Sequence, residues 1–202
     1  MREINKNIEL YSRQFENGNK LIGQTVREVD FYLEKTDKNY SEQPNEFGKS
    51  LLNGIDIKTD IETYSIGNRF TDLGYGLTID IGETRSLEFI DNGKNTVSFK
   101  TDVVGEKIKR INIFWMNIPF EGASGLYPQE IEIHTDNGFL LISSIEVNIG
   151  QVNTEFTNEL LIVDNKETAK QLKLGQYGLI VNGRKKYTDL NELIKNEIKN
   201  GL

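Results

Sequence analysis

The chain has 202 residues, 31 acidic against 24 basic, and a formal net charge of −7. It has no cysteine, which excludes disulfides, thiolate metal sites and thiol nucleophiles. Hydrophobic residues make up 37% and charged residues 27%, a polar composition that can still fold around a core. Phosphates repel a negative chain, so direct nucleic-acid binding is disfavoured. The start, Met1-Arg2-Glu3-Ile4-Asn5-Lys6, has no apolar leader, and no run approaches the ~18 apolar residues of a membrane span. The expectation is a cytoplasmic protein.

Taken from the N-terminus, Ile4, Ile8, Tyr11 and Phe15 recur at spacings of four, three and four, predicting a short amphipathic helix ended by Asn17-Gly18-Asn19. Ile22, Val26, Val29 and Phe31 lie in a strand-like run. Lys35–Asn53 lacks a period and reads as a long loop. Ile55 and Ile57, then Leu77, Ile79 and Ile81, alternate with polar residues as half-buried strands do. Asp91-Asn92-Gly93-Lys94 predicts a turn between strands Leu87–Ile90 and Thr96–Phe99. Met116–Gln129, with Pro119, Gly122, Gly125 and Pro128, reads as a second long loop. Ile131 and Ile133 precede a hairpin turn at Asp136-Asn137-Gly138, where both Asn and Gly tolerate positive φ, and Phe139–Ile142 is the return strand. Glu167–Leu172 reads as a short helix stopped at Gly175, and Tyr177–Val181 as a last strand. Thr188 is placed to cap a terminal helix with Leu190, Leu193, Ile194 and Ile198 on its apolar face.

Four blocks occur twice in the same order. Leu21–Tyr32 matches Val103–Phe114, Ile55–Asp60 matches Ile131–Asp136, Leu77–Gly82 matches Ile145–Gly150, and Leu87–Asn92 matches Leu160–Asn165. The fold expected is mainly β (α+β): two tandem pseudo-repeated antiparallel β units with short N-terminal and C-terminal helices. The expected divisions are a helical segment 1–20, a first β repeat 21–102, a second 103–165 and a basic helical tail 166–202.

Chemistry is sparse. His134 is the one histidine, it sits on the polar side of a strand, and its match in the first copy is Lys58. One imidazole makes neither a multi-histidine metal site nor, on spacing alone, a Ser-His-Asp triad. Gly122-Ala123-Ser124-Gly125 lacks the Gly-x-Ser-x-Gly frame, and no dinucleotide, phosphate or calcium loop occurs. No catalytic residue, metal ligand or cofactor is assigned. Charge layout says more. From Ile111 to Asn165 there is no Lys or Arg but eight acids: Glu121, Glu130, Glu132, Asp136, Glu146, Glu155, Glu159 and Asp164. Phe114, Trp115, Phe120 and Tyr127 bracket the Met116–Gln129 segment among them. Acids beside aromatics suit a cationic partner, through charge pairing and cation–π contact. The candidate partner-binding residues are therefore Trp115, Glu121, Tyr127, Glu130, Glu132 and Asp136.

The run Tyr127-Pro128-Gln129-Glu130-Ile131-Glu132-Ile133, then Asn137-Gly138 and Ile142–Val147, with Leu160–Asp164 further on, resembles small bacterial immunity partners of secreted toxins. The resemblance covers about a third of the chain. It implies a non-enzymatic inhibitor that occludes a basic toxin domain with an acidic surface. Two other readings stand beside it. In one, Trp115 and Tyr127 form a carbohydrate or small-ligand platform. In the other, paired carboxylates make a hydrolase.

Overall fold

The computed structural model describes residues 2–32, 49–51, 54–71, 74–83, 96–98, 100–120, 123–144, 146–148, 151–153, 160–179 and 184–199. The described chain is mainly β. Helix α1 (Arg2–Leu21) is followed by β1 (Val26–Tyr32), β2 (Lys49–Leu51), β3 (Gly54–Thr59), β4 (Thr63–Thr71), β5 (Gly74–Ile81) and β6 (Thr96–Ser98). Then come β7 (Arg110–Phe120), β8 (Ala123–His134), β9 (Phe139–Ser143), β10 (Glu146–Asn148), β11 (Gln151–Asn153) and β12 (Leu160–Val163). The chain closes with α2 (Lys166–Gln171), a 3-10 turn (Gly175–Tyr177), β13 (Lys185–Lys186) and α3 (Leu190–Lys199). Two antiparallel sheets run β5-β4-β3-β1-β6 and β13-β7-β8-β9-β12-β2, and β10 and β11 form a separate hairpin.

The two large sheets are copies. Val29 pairs Ile57 and Phe31 pairs Ile55 in the first; Ile111 pairs Ile133 and Ile113 pairs Ile131 in the second. These are the equivalences of the first two sequence blocks, now in matching register. The third strand follows suit, Ile66 opposite Ile79 against Ile142 opposite Ile162. Leu77–Gly82 thus corresponds to residues 160–165, not to Ile145–Gly150, which was the expectation. The cause is burial: Leu160–Val163 is buried on both faces and has lost the alternation that its counterpart keeps. The expected Leu87–Ile90 strand and the Asp91–Lys94 turn lie outside the described residues. In each unit four strands lie side by side, and a later strand, β6 or β13, returns to the free edge of the first, β1 or β7.

A pseudo-two-fold axis relates the units at the bridge between Thr25 and Lys107. The Gly23 N–H donates to the Ile108 carbonyl at 2.8 Å, and the Gly105 N–H donates to the Val26 carbonyl at 2.8 Å. The N–H of Val26 donates to Glu106 O, and that of Ile108 to Gln24 O, at 3.0 and 2.9 Å. Gly23 and Gly105 have φ of 90° and 88°, a conformation glycine adopts without Cβ strain. The turns match as well: Thr59 Oγ1 accepts from Glu62 N, and Thr135 Oγ1 from Gly138 N.

Several elements depart from the sequence expectation. Helix α1 runs through Asn17 and Gly18 because neither ends it. The Asn17 amide donates to Ile79 O, and the Gln14 carbonyl oxygen accepts from Ile79 N, so α1 covers the free edge of β5. Met116–Gln129 is not a loop but the greater part of the β7–β8 hairpin, and Lys49–Leu51 at the end of the other expected loop pairs with β12. Neither Asn137 nor Gly138 takes positive φ. Glycine is needed at 138 because a Cβ would sit 2.6 Å from the Asp102 carbonyl oxygen. Tyr177 lies in the 3-10 turn rather than a strand. Asp189 caps α3 through Glu192 N, while the Thr188 hydroxyl and N–H donate back to Glu192.

Inward faces of both sheets share one core with α1 and α3. Trp115 lies at 0% exposure, edge-on to Tyr11 with ring centroids 5.3 Å apart and tilted to Phe15 at 5.6 Å. On the outer face of the second sheet, a smaller core of Phe139, Leu141, Leu161 and Val163 packs beneath Ala169 and Leu174.

Candidate functional site

Alternation puts Glu130, Glu132 and His134 on the outer face of β8, away from the main core. All three are buried, and both Glu side chains are fully shielded from solvent. Their partners come from within the chain. Glu130 accepts from the Gly175 N–H at 2.8 Å and the Ser143 hydroxyl at 3.0 Å. Its Oε2 lies 2.8 Å from Nε of the buried Arg184, a charge contact whose N–H is not aligned as a hydrogen bond. Glu132 accepts from Asn112 at 2.8 Å and the Gln176 N–H at 3.0 Å, and its Oε2 lies 2.9 Å from His134 Nε2. The edge of His134 meets Phe139 at 5.3 Å.

The two carboxyls titrate in opposite directions. Burial pushes Glu130 up, beyond what Arg184, Gly175 and Ser143 recover. Burial also opposes the charge on Glu132, but His134, Asn112 and Gln176 together outweigh it and hold that carboxyl below its usual range. Gly175 is indispensable here. Its φ is 56°, and an added Cβ would stand 2.0 Å from Glu132 Oε1.

The outer face of the first sheet is different. A single cross-strand row runs Ser98, Asp30, Asp56, Ser65, Asp80 across β6, β1, β3, β4 and β5. Beside it, the Lys58 ammonium donates to Asp30 at 2.6 Å and to Glu28 at 2.9 Å, and the Ser98 hydroxyl donates to Asp30 at 2.7 Å. Arg13 Nε lies 3.8 Å from Asp80. Burial resists the Asp30 charge, yet the bonds from Lys58 and Ser98 prevail and lower its pKa. For Lys58 the contact with Asp30 dominates and raises its pKa. The register equates Asp30 with Asn112, Asp56 with Glu132, Ser65 with Leu141, Thr78 with Leu161 and Asp80 with Val163. The first unit thus has polar residues at β4 and β5 positions where the second has apolar ones under its own α2, and Asp30, Asp56, Ser65 and Thr78 are themselves buried.

The sequence-chosen residues fall in three places. Trp115 and Tyr127 are in the interior, at 0% and 2% exposure, and offer a partner no surface. Tyr127 closes on Gly76, where a Cβ would be 3.1 Å from its ring. The reason is the hairpin: Trp115 on β7 faces the main core, and Tyr127, in the segment read as loop, is strand and packs inside against Gly76. This burial also removes the aromatic platform of the carbohydrate reading. Glu130 and Glu132 are brought together but face Arg184 and the N–H groups of Gly175 and Gln176, not solvent, so a substrate would have to displace these residues to reach them. Asp136 is exposed on its turn, 3.0 Å from Lys109 Nζ. Glu121 lies outside the described residues.

The sequence reading missed Asn112, Ser143, Gly175 and Arg184 in the second unit and Glu28, Asp30, Lys58, Ser65, Asp80 and Ser98 in the first. The pairing of Lys58 with His134 in the repeat was the available signal, since it marks the same outward position in both copies. Among the described residues, no three His, Asp or Glu side chains are arranged to hold a metal ion, and no helix is long and apolar enough to cross a membrane. No family model, curated protein or solved structure matches the chain.

Proposed function

We propose that the chain is a non-enzymatic binding protein that meets a cationic protein surface with the outer face of its first sheet, as an inhibitor of the immunity type that its sequence resembles. The observation carrying this reading is the Ser98-Asp30-Asp56-Ser65-Asp80 row on a sheet whose register-matched copy is apolar at the equivalent β4 and β5 positions. Packing alone does not call for that difference, because the twin sheet solves the same folding problem with Leu141, Leu161 and Val163. Among the described side chains, Asp30 and Asp56 are buried, and Glu28 and Asp80 are the carboxylates of this face that solvent reaches, with Lys58 and Arg13 beside them. The Glu28 side chain is 44% exposed and that of Asp80 17%, which leaves both within reach of Arg or Lys from outside.

The mechanism is occlusion. Negative potential steers a basic domain into contact, and the partly exposed Glu28 and Asp80 then pair with its cations. The test is association of the full chain with basic toxin domains, measured at low and high salt with wild type and with Glu28→Lys/Asp80→Lys. The reading expects on-rates that fall steeply with salt and drop about tenfold or more on charge reversal. Association that ignores both salt and charge reversal would refute it.

A further inference from the structure

The segment over the second sheet is held to it without a strand ladder. The backbone bonds of residues 166–179 are local: Ala169 N to Asn165 O, Leu172 N to Thr168 O, Leu174 N to Ala169 O, Tyr177 N to Leu174 O and Gly178 N to Gly175 O. Among the described hydrogen bonds, none joins its backbone to a neighbouring strand's backbone. Two N–H groups, of Gly175 and Gln176, reach the sheet, and both end on side-chain carboxylates, of Glu130 and Glu132. Ala169 and Leu174 are buried in the small outer core, and Leu172 and Tyr177 pack against it.

That attachment also carries costs. Lys173 has φ 56°, a left-handed conformation disfavoured for a residue with a Cβ. The Glu130 carboxyl is buried, and the Arg184 Nη1 and Nη2 atoms, which have no hydrogen-bond partner, are buried with it. Buried charge held by incomplete hydrogen bonding contributes little net stability. Opening the segment returns these groups to water, whereas opening the sheet would break a continuous backbone ladder.

We propose that residues 166–179 form a strap that opens as a unit while the second sheet stays folded, uncovering Glu130, Glu132 and the apolar floor of Phe139, Leu141, Leu161 and Val163. The strap is its own resident cover, and Gly175 is its latch. Asn165 is the natural hinge: it is extended, with φ −136° and ψ 145°, and its side chain caps α2 by accepting from Thr168 N at 2.7 Å.

Native-state hydrogen exchange on the full chain tests this. The amides of Leu174, Gly175 and Gln176 should exchange about 100-fold or more faster than those of Ile131 and Ile133, through an opening insensitive to low denaturant. Gly175→Ala should speed the strap amides about tenfold further and leave Ile131 and Ile133 unchanged. Equal exchange of strap and β8 amides in the wild-type chain would overturn the proposal. So would a Gly175→Ala variant in which both sets accelerate together.

Discussion

At the scale of single residues, the deciding feature is how each buried charge is met. Arg184→Met leaves Glu130 buried without a cation and should destabilise the fold by about 3 kcal/mol, as broken buried pairs do. The double variant Glu130→Gln/Arg184→Met should regain most of that loss, because no unpaired charge remains. Chemical denaturation of the three variants measures both effects. Asp30 behaves oppositely to Glu130. Its carboxyl is held below the ordinary value of 3.8, so its contribution is complete above that pH and disappears as pH falls through the lowered value. Asp30→Asn should therefore flatten the acid limb of the stability profile below about pH 4. Trp115→Ala removes a fully buried indole and should cost about 3–5 kcal/mol, a core effect with no bearing on a binding surface. None of these environments could be read from residue type alone. Glu130 and Glu132 were found as acids among aromatics, but Arg184, some fifty residues downstream, carries no local mark of being their partner.

At the scale of elements, the repeat was the most legible feature of the chain. The first two blocks are correct in register as well as in identity, because half-buried strands keep an apolar–polar alternation that records which face is inward. The third block failed where alternation fails: Leu160–Val163 is apolar on both sides, and Ile145–Gly150 imitates the pattern better. Prolines and glycines misled the reading of Met116–Gln129, since a long hairpin tolerates Pro119 and Pro128 where a loop was expected. The final strand β13 has two residues and no periodic signal at all. The duplication makes a sharp prediction. Gly23→Ala and Gly105→Ala place a Cβ in the same left-handed turn with open space around it, so strain alone sets the cost. Each should lose about 1–2 kcal/mol, and the two losses should agree within about 0.5 kcal/mol by thermal or chemical denaturation.

At the scale of the whole molecule, two copies of one five-stranded arrangement meet at a pseudo-two-fold axis and share a core, so unfolding should be one cooperative transition apart from the strap. Their inward faces are alike and their outward faces have diverged. In the second unit the acids that looked available to a partner are taken by the chain's own Arg184, Gly175 and Gln176. In the first, Asp30, Asp56 and Ser65 are buried, and Glu28 and Asp80 lie partly exposed at the edge of their row. Titration of the isotope-labelled full chain with an oligo-arginine peptide, followed by amide chemical shifts, separates the two faces directly. Salt-sensitive shifts are expected at Glu28, Asp30, Lys58 and Asp80, with Glu130, Glu132 and Gly175 unmoved. Shifts confined to residues 130–136 and 175–179 would overturn the assignment of the binding face.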